Sequence, residues 1–294
     1  MATVEMKTPL PKRIRIGHSP DADDAFMFYA LLQGRIPTGS YEFQHQLADI
    51  ETLNRWALEG RLELTALSVH AYAYVADRYL LCPCGASVGD GYGPVLVARE
   101  PMPVERLRNS AIAVPGTMTT AYLVLSLWLG TQFHPVVVPF DSIIPAVEVG
   151  FYQGQPVVAG LLIHEGQLTY GQHHLQLLVD LGRWWQEETG LPLPLGLNGV
   201  RKDLQLQTAC DITRLLLESI RYGLEHREEA LEYALRFARG LARPMADRFV
   251  GMYVNHWTLE LGQLGRQAIT ELLRRGYQAG IIPRAVEPEF VPLQ

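Results

Sequence analysis

A chain of 294 residues, 48% apolar and 19% charged, has the material for two α/β lobes and is too apolar to remain disordered. Its net charge of −6 comes without any dense basic run, which argues against a nucleic-acid partner. An anionic small ligand, held by a helix N-terminus or one arginine, stays open.

Three cysteines, Cys82, Cys84 and Cys210, fit neither a disulfide framework nor the spacing of a zinc site, so reduced thiols in the cytosol are the simplest account. The first twelve residues hold no apolar core of signal-peptide length and no lipid-anchor cysteine. No later segment is apolar for long enough to span a bilayer. A soluble cytoplasmic protein is expected.

Residues 13–17 read as a first strand. His18-Ser19-Pro20-Asp21-Ala22-Asp23-Asp24 follows as a turn into a helix, built from the residues a helix N-terminus favours. Its three carboxylates suit the helix dipole, and capping competes with ligand contact as their role. Phe26, Phe28 and Tyr29 on that helix are read as core. Residues 41–45 alternate like a half-exposed strand, and Asp49 caps a helix over 50–58. Residues 62–67 form another strand, whose exit Ser68 stands at the cap of the next helix. A serine there either caps or offers its hydroxyl and nearby N–H groups to a ligand. Residues 85–94 are glycine-rich but lack the lysine and serine/threonine of a P-loop, so they are read as a flexible loop. Residues 95–98 leave the first lobe, and 99–103 look like a crossover.

The second lobe opens with a strand over 111–114. Thr119 and Thr120 stand at the first turn of an apolar helix, where they can cap it and present two hydroxyls to a carboxylate. A strand over 136–138 and a helix capped by Asp141 and Ser142 come next. Residues 157–163 then form a short apolar run, expected as a strand buried on both faces of a parallel sheet. It stops at His164-Glu165-Gly166. Ligands collect beyond the carboxyl ends of such strands, so His164 is placed to meet one and exchange a proton near neutral pH. The alternative is a histidine that finishes the strand and bonds a neighbouring loop.

Pro192 and Pro194 suit a crossover back to the first lobe and not a central strand. The remainder has helical spacing, with Met245, Phe249, Met252 and Trp257 read as packing. Residues 1–98 and 197–294 would form a larger lobe and 99–196 a smaller one, with a hinge between them and a ligand cleft.

Five segments in order carry a resemblance. They are Gly17-His18-Ser19-Pro20-Asp21-Ala22-Asp23-Asp24-Ala25-Phe26, Asp49-Ile50-Glu51-Thr52-Leu53-Asn54, Pro115-Gly116 with Thr119-Thr120-Ala121-Tyr122, Ile163-His164-Glu165-Gly166-Gln167-Leu168-Thr169-Tyr170, and Gly190-Leu191-Pro192-Leu193-Pro194-Leu195-Gly196. Together they resemble the 1,4-dihydroxy-6-naphthoate synthases of the futalosine route to menaquinone, over nearly the whole chain. The resemblance implies an α/β, two-lobe, type 2 periplasmic-binding-protein-like fold used as a cytoplasmic lyase, with no metal and no cofactor. It implies conversion of cyclic dehypoxanthinyl futalosine to 1,4-dihydroxy-6-naphthoate with loss of a three-carbon fragment. It makes His164 the general base and puts substrate contacts at Ala66, Leu67, Ser68, Thr119 and Thr120. Ser19 and Asp23 are further candidate contacts on a turn that some members write as Ser-Pro-Cys-Pro-Asn-Asp. Two other readings share the fold. A solute-binding protein for a small carboxylate would need an export signal or lipid anchor. Chorismate dehydratase of the same pathway would not require the Ile163-His164-Glu165 base.

Overall fold

The computed structural model describes residues 12–293; the amino-terminal segment expected to carry no leader lies outside them, apart from Lys12. The chain starts with β1 (Lys12–His18), α1 (Ala22–Leu32), β2 (Tyr41–Leu47), α2 (Ile50–Glu59), β3 (Leu64–Ser68), α3 (Val69–Val75), β4 (Tyr79–Leu81) and β5 (Ser87–Gly89). It continues with β6 (Val95–Ala98), α4 (Val104–Leu107), β7 (Ala111–Val114), α5 (Thr120–Leu129), β8 (His134–Val137) and α6 (Ile143–Val149). A hairpin of β9 (Phe151–Tyr152) and β10 (Gln155–Pro156) leads to β11 (Ala159–Leu162), α7 (Gly166–Thr169), β12 (Gln176–Asp180) and α8 (Leu181–Thr189). Then come β13 (Leu193–Arg201), α9 (Leu206–Glu225), α10 (Arg227–Ala234), α11 (Arg243–Tyr253), α12 (His256–Leu259) and α13 (Gly262–Gln278).

Two mixed sheets organise these elements. The first runs β2-β1-β3-β13-β4, with β5 also on β13; the second runs β12-β6-β11-β7-β8. Strand β6, expected to leave the first lobe, pairs with β11 and β12 in the second sheet. Strand β11 is buried at all four residues, as an apolar run should be. Its neighbours differ from the expectation, however: it is parallel to β7 but antiparallel to β6. An apolar run reports burial on both faces and is blind to the direction of its partners.

Two loop assignments are corrected. The 85–94 segment holds β5, paired antiparallel with β13, because Ser87-Val88-Gly89 finds ladder partners despite the glycines around it. The Pro192/Pro194 segment, expected as a crossover, enters β13, which lies between β3 and β4. Pro194 is tolerated because the register against β5 shifts between Pro194 and Gly196, where a missing N–H costs no regular ladder bond.

Helix α1 is buried from Ala22 to Leu31. It packs against α9, α10 and α11, with Phe26 and Phe28 fully enclosed as core residues, worth about 1.5–3 kcal/mol each. A helix apolar on every face has to be enclosed this way, and its carboxyl-terminal partners do so. In β11, a Cβ on Gly160 would lie 2.6 Å from side-chain carbons of both Ile143 and Val147. The absent side chain lets α6 lie directly on the strand that ends at His164. No helix among the described residues is long and apolar enough to cross a membrane.

Candidate functional site

A cavity of about 710 Å³, mouth included, opens where the carboxyl ends of β1, β3 and β11 face the first turn of α5 and the middle of β13. Ligands gather at such strand ends in α/β folds. Ser19 and Asp23 line it from the turn after β1, and Ala66, Leu67 and Ser68 from β3. Thr119, Thr120 and His164 line it from the second sheet's elements. All eight residues singled out in the sequence therefore share one wall-to-wall space. Phe249 of α11, expected only to pack, also reaches this wall.

His164 sits two residues beyond β11, in a left-handed backbone conformation with φ +53°. Such a conformation costs a non-glycine residue on the order of 1–3 kcal/mol, and it persists only where the surroundings hold it. Here the Gln167 amide does so: with its oxygen toward the His164 N–H (3.2 Å) and its nitrogen toward the Gly93 carbonyl (2.6 Å), both ends are satisfied. The imidazole packs edge-on against Phe140, ring centres 4.8 Å apart. Its Nδ1 lies 3.0 Å from Asp21 Oδ2, while Nε2 is buried and has no partner. An ionised carboxylate accepts the Nδ1–H, so the lone pair is left on Nε2.

Asp21 comes from sequence chemistry read only as capping. It is the N-cap of α1, its side chain accepting the Asp24 N–H at 3.3 Å, and it also accepts from the Ser19 hydroxyl. Burial would raise its carboxyl, but His164, a hydrogen bond with the Asp23 carboxyl, the bond from Ser19 and Arg239 outweigh that and hold it below the usual range. Asp23 goes the other way. Burial first, then the neighbouring Asp21, Asp24 and Glu165, push it well above an ordinary aspartate, and its Oδ1 has no partner. Asp24 is pushed up to about 8 by burial and Asp21, although it accepts both the N–H and the hydroxyl of Ser19. Crowded carboxylates ionise one at a time, and the one that accepts the His164 Nδ1–H and the Ser19 hydroxyl keeps its charge. Beneath the turn, burial lowers His18 to about 4; its Nδ1 lies 2.8 Å from the Ser19 carbonyl.

Arg239, in the segment between α10 and α11, ties the two sides together. It bonds Glu165 at 3.1 Å, donates to the Pro20 carbonyl, and stacks over Phe140 at 4.1 Å. One guanidinium thus touches the residue after His164, the residue before Asp21, and the ring that packs on His164. Burial raises the Glu165 carboxyl despite the Arg239 guanidinium beside it.

On the opposite wall, Asn54 holds Ser68 twice: its amide nitrogen donates to the hydroxyl at 3.0 Å, and its oxygen accepts the Ser68 N–H at 2.9 Å. Ser68 stands at the N-cap of α3 but makes no side-chain cap bond, which leaves its own O–H to donate. Thr119 caps α5 by accepting the Tyr122 N–H at 3.2 Å and donates to the Gly116 carbonyl. Thr120 donates to the Leu195 carbonyl at 2.6 Å. Both threonine protons are committed, so an anion at this wall meets the free backbone donors of the first turn of α5. Asp21, Asp23 and His164 each bring one donor atom, all within 4.8 Å of one another, and are the described residues that could hold a metal ion. An ion there would compete with the Asp21–His164 bond. The cysteines are free and take no part in the cavity; burial pushes Cys82 up to about 12.

Sequence reasoning missed Asp21, Asn54 and Arg239. Asp21 carried a signal, three carboxylates at the exit of a strand, but its partner is 143 positions away. Asn54 and Arg239 lie on a helix and a turn whose patterns report only their own elements.

Comparison with known proteins bears on the fold and the family. A relative from Thermus thermophilus named 1,4-dihydroxy-6-naphthoate synthase is 43% identical over 278 residues, spanning 95% of this chain and 99% of its own. A crystal structure of a protein from Archaeoglobus fulgidus is 47% identical and superposes with a TM-score of 0.86, covering 92% of this chain and 98% of that one. A Candida albicans protein described as having the generic periplasmic-binding-protein fold is 14% identical, with a TM-score of 0.70 over 96% of this chain and 98% of that one. The fold is therefore of the periplasmic-binding-protein kind. The menaquinone biosynthesis family matches residues 14–278, and the chain belongs to that family.

Proposed function

We propose that this protein is a carbon–carbon lyase of menaquinone biosynthesis, converting cyclic dehypoxanthinyl futalosine to 1,4-dihydroxy-6-naphthoate with release of a three-carbon fragment. The name of its Thermus thermophilus relative supports the product. One observation carries the chemistry: His164, on the wall of the cavity, has Nδ1 engaged by Asp21 and Nε2 without a partner. That arrangement is a general base waiting for an acidic hydrogen. The Nε2 lone pair takes a substrate hydroxyl proton, the oxygen becomes a carbonyl, and the adjacent carbon–carbon bond breaks in a retro-aldol step. Aromatisation of the remaining ring supplies much of the driving force. A positioned base contributes ~10²–10⁴-fold. The Ser68 hydroxyl and the backbone N–H groups at the Thr119–Thr120 start of α5 hold the polar and carboxylate ends of the substrate. A hinge between residues 1–98 with 197–294 and residues 99–196, and a cytosolic location, belong to the same reading.

The test is incubation of the purified protein with the cyclic futalosine derivative and, separately, with chorismate, followed by mass spectrometry. Naphthoate from the first, lost in His164→Ala, is the expected result. Turnover of chorismate, parental activity in the variant, or binding without conversion overturns the assignment; the last outcome makes the protein a ligand carrier.

A further inference from the structure

The middle of β13 forms one floor of the cavity. Gly196 pairs with Ser68 of β3 on one side and Ser87 of β5 on the other, and Asn198 pairs with Ala66. Residues directly opposite in a ladder point to the same face of a sheet. Asn198 therefore turns the same way as Ala66 and Ser68, and all three line the cavity. Between the two serines the floor is bare. Beyond its chain neighbours, a Cβ on Gly196 would approach nothing nearer than the Leu67 carbonyl oxygen, at 3.9 Å. Leu197 and Phe249 line the same space, so this is an open, largely apolar seat of the kind that takes the face of a fused ring. Asn198 is 1% exposed, and its two amide ends differ. Nδ2 donates to the Gly85 carbonyl at 2.9 Å, and Gly85 is itself held by donating its N–H to the Thr258 carbonyl at 2.7 Å. A Cβ on Gly85, whose φ is +73°, would lie 2.7 Å from Nδ2, so only a glycine lets carbonyl and amide meet there. That bond fixes which way the amide lies, because a nitrogen and not an oxygen must face a carbonyl. Oδ1 is left buried with no partner among the described residues. A buried amide oxygen is normally paired, and one left open at a cavity wall is completed by a donor from the ligand.

Resting on the lyase reading above, we propose that Asn198 is a specificity-determining contact whose Oδ1 accepts the O–H of one ring hydroxyl while the ring lies over Gly196. The product of that reaction bears two ring hydroxyls and a carboxylate, and the carboxylate goes to the Ser68 and α5 end of the cavity. Asn198 stands two residues along β13 from the Gly196–Ser68 pair, about 7 Å, so one flat ring system reaches both ends. Oδ1 can accept and never donate. It pairs with a hydroxyl and repels a ketone in the same place. The contact therefore strengthens as a ring ketone becomes a phenolic hydroxyl, which is the direction of aromatisation, and it favours the state toward which the reaction runs. It also sorts ligands: a naphthoate without that hydroxyl leaves Oδ1 buried and unpaired.

The experiment measures anaerobic equilibrium binding of four ligands to the parent and to Asn198→Ala: 1,4-dihydroxy-6-naphthoate, the two naphthoates that each lack one of its hydroxyls, and the naphthoate that lacks both. The parent should bind the dihydroxy compound about tenfold or more tighter than one of the two single-hydroxyl compounds. In Asn198→Ala that preference should shrink to about threefold or less, while the naphthoate without hydroxyls keeps its parental Kd within a few-fold. The pair of readings separates a ligand contact from a strut. If Asn198 served only to hold Gly85, the variant would weaken all four ligands alike and keep the preference, and that result overturns the proposal. A parent that binds all four within about threefold, or does not bind the dihydroxy compound, leaves a solvated amide only and also overturns it. Gly196→Val, which fills the bare floor, should weaken all four by about tenfold or more without lowering the melt; parental binding there removes the ring seat and the proposal with it. Should Asn198→Ala fail to fold, Asn198→Leu, of nearly the same volume, is read in its place. Turnover of the cyclic substrate is assayed alongside. Turnover without a hydroxyl preference overturns the contact alone, and the preference without turnover overturns the lyase reading while the contact stands.

Discussion

Asp21→Asn is the sharpest perturbation of the site, because the geometry dictates which way the new amide turns. Asp21 has two tasks: one oxygen accepts the Asp24 N–H at the cap of α1, and the other faces His164 Nδ1 at 3.0 Å. An asparagine must give its single oxygen to the cap, since the Asp24 N–H can be met only by an acceptor. Its NH₂ then faces Nδ1 and donates to it, which drives the imidazole proton onto Nε2. The atom that should take the substrate proton now carries one. Loss of the base is worth ~10²–10⁴ in kcat, and the same swap in a Ser-His-Asp triad costs about 10⁴ through the same tautomer reversal. The cap survives, and a neutral amide replaces an anion crowded by Asp23 and Asp24, so the thermal midpoint should change by only a few degrees. Steady-state turnover of the cyclic substrate and a thermal melt measure both. A folded Asp21→Asn protein within threefold of the parental kcat would show that the Asp21–His164 contact does not set the tautomer.

Two further outcomes follow from other contacts. Arg239→Ala strips the partner from Glu165, which is 8% exposed and already has one unpartnered oxygen. Discounted for the partial exposure of the arginine, the loss is about 1–2 kcal/mol of stability, with kcat/KM falling as Phe140 and His164 lose their support; an unchanged melt and unchanged kinetics would remove the cross-lobe role. His70 is lowered by burial to about 4, below the ordinary value for an unfolded chain of 6.5, so its neutral form is the one the fold accommodates. Its contribution is present above about pH 6.5 and is lost as pH falls toward about 4, roughly 3 kcal/mol across the window. His70→Gln should therefore lose less stability than the parent over that range, and parallel denaturation curves from pH 7 to 4 would refute it.

What the sequence disclosed and what it hid follow one rule. Local features that ask only for neighbours a few residues away were legible: Asp49 capping α2, α1 as an enclosed apolar helix, and the strand that stops short of His164. His164, Ser68, Thr119 and Thr120 were legible as strand exits and helix starts, which converge in an α/β fold, whereas Ala66 and Leu67 came from the family resemblance; all line one cavity. Direction of pairing was not, since β11 looks the same beside a parallel or an antiparallel neighbour. Pro194 misled because a bulge can absorb a proline, and bulges are decided across strands. The role of Asp21 stayed hidden for the same reason: capping explained it locally, and only folding brings His164 against its other oxygen.

A carrier and an enzyme built on one fold can be told apart by what their pockets cost. A binding protein needs donors and acceptors matched to a stable ligand, and each can be satisfied by the protein before the ligand arrives. This cavity instead holds a histidine in a left-handed conformation, an ionised carboxylate fixed against it, and a second carboxyl with an unpartnered oxygen beside it. The backbone strain alone is on the order of 1–3 kcal/mol, and each buried unpaired polar group adds about as much again. Tight binding of a finished small carboxylate asks for none of this, because the Ser68 hydroxyl and the first turn of α5 already supply the donors. On the lyase reading, a strained histidine whose free nitrogen faces the cavity serves a ligand whose protons move, which puts the chemistry, more than the binding, at the turn after β1 and the end of β11.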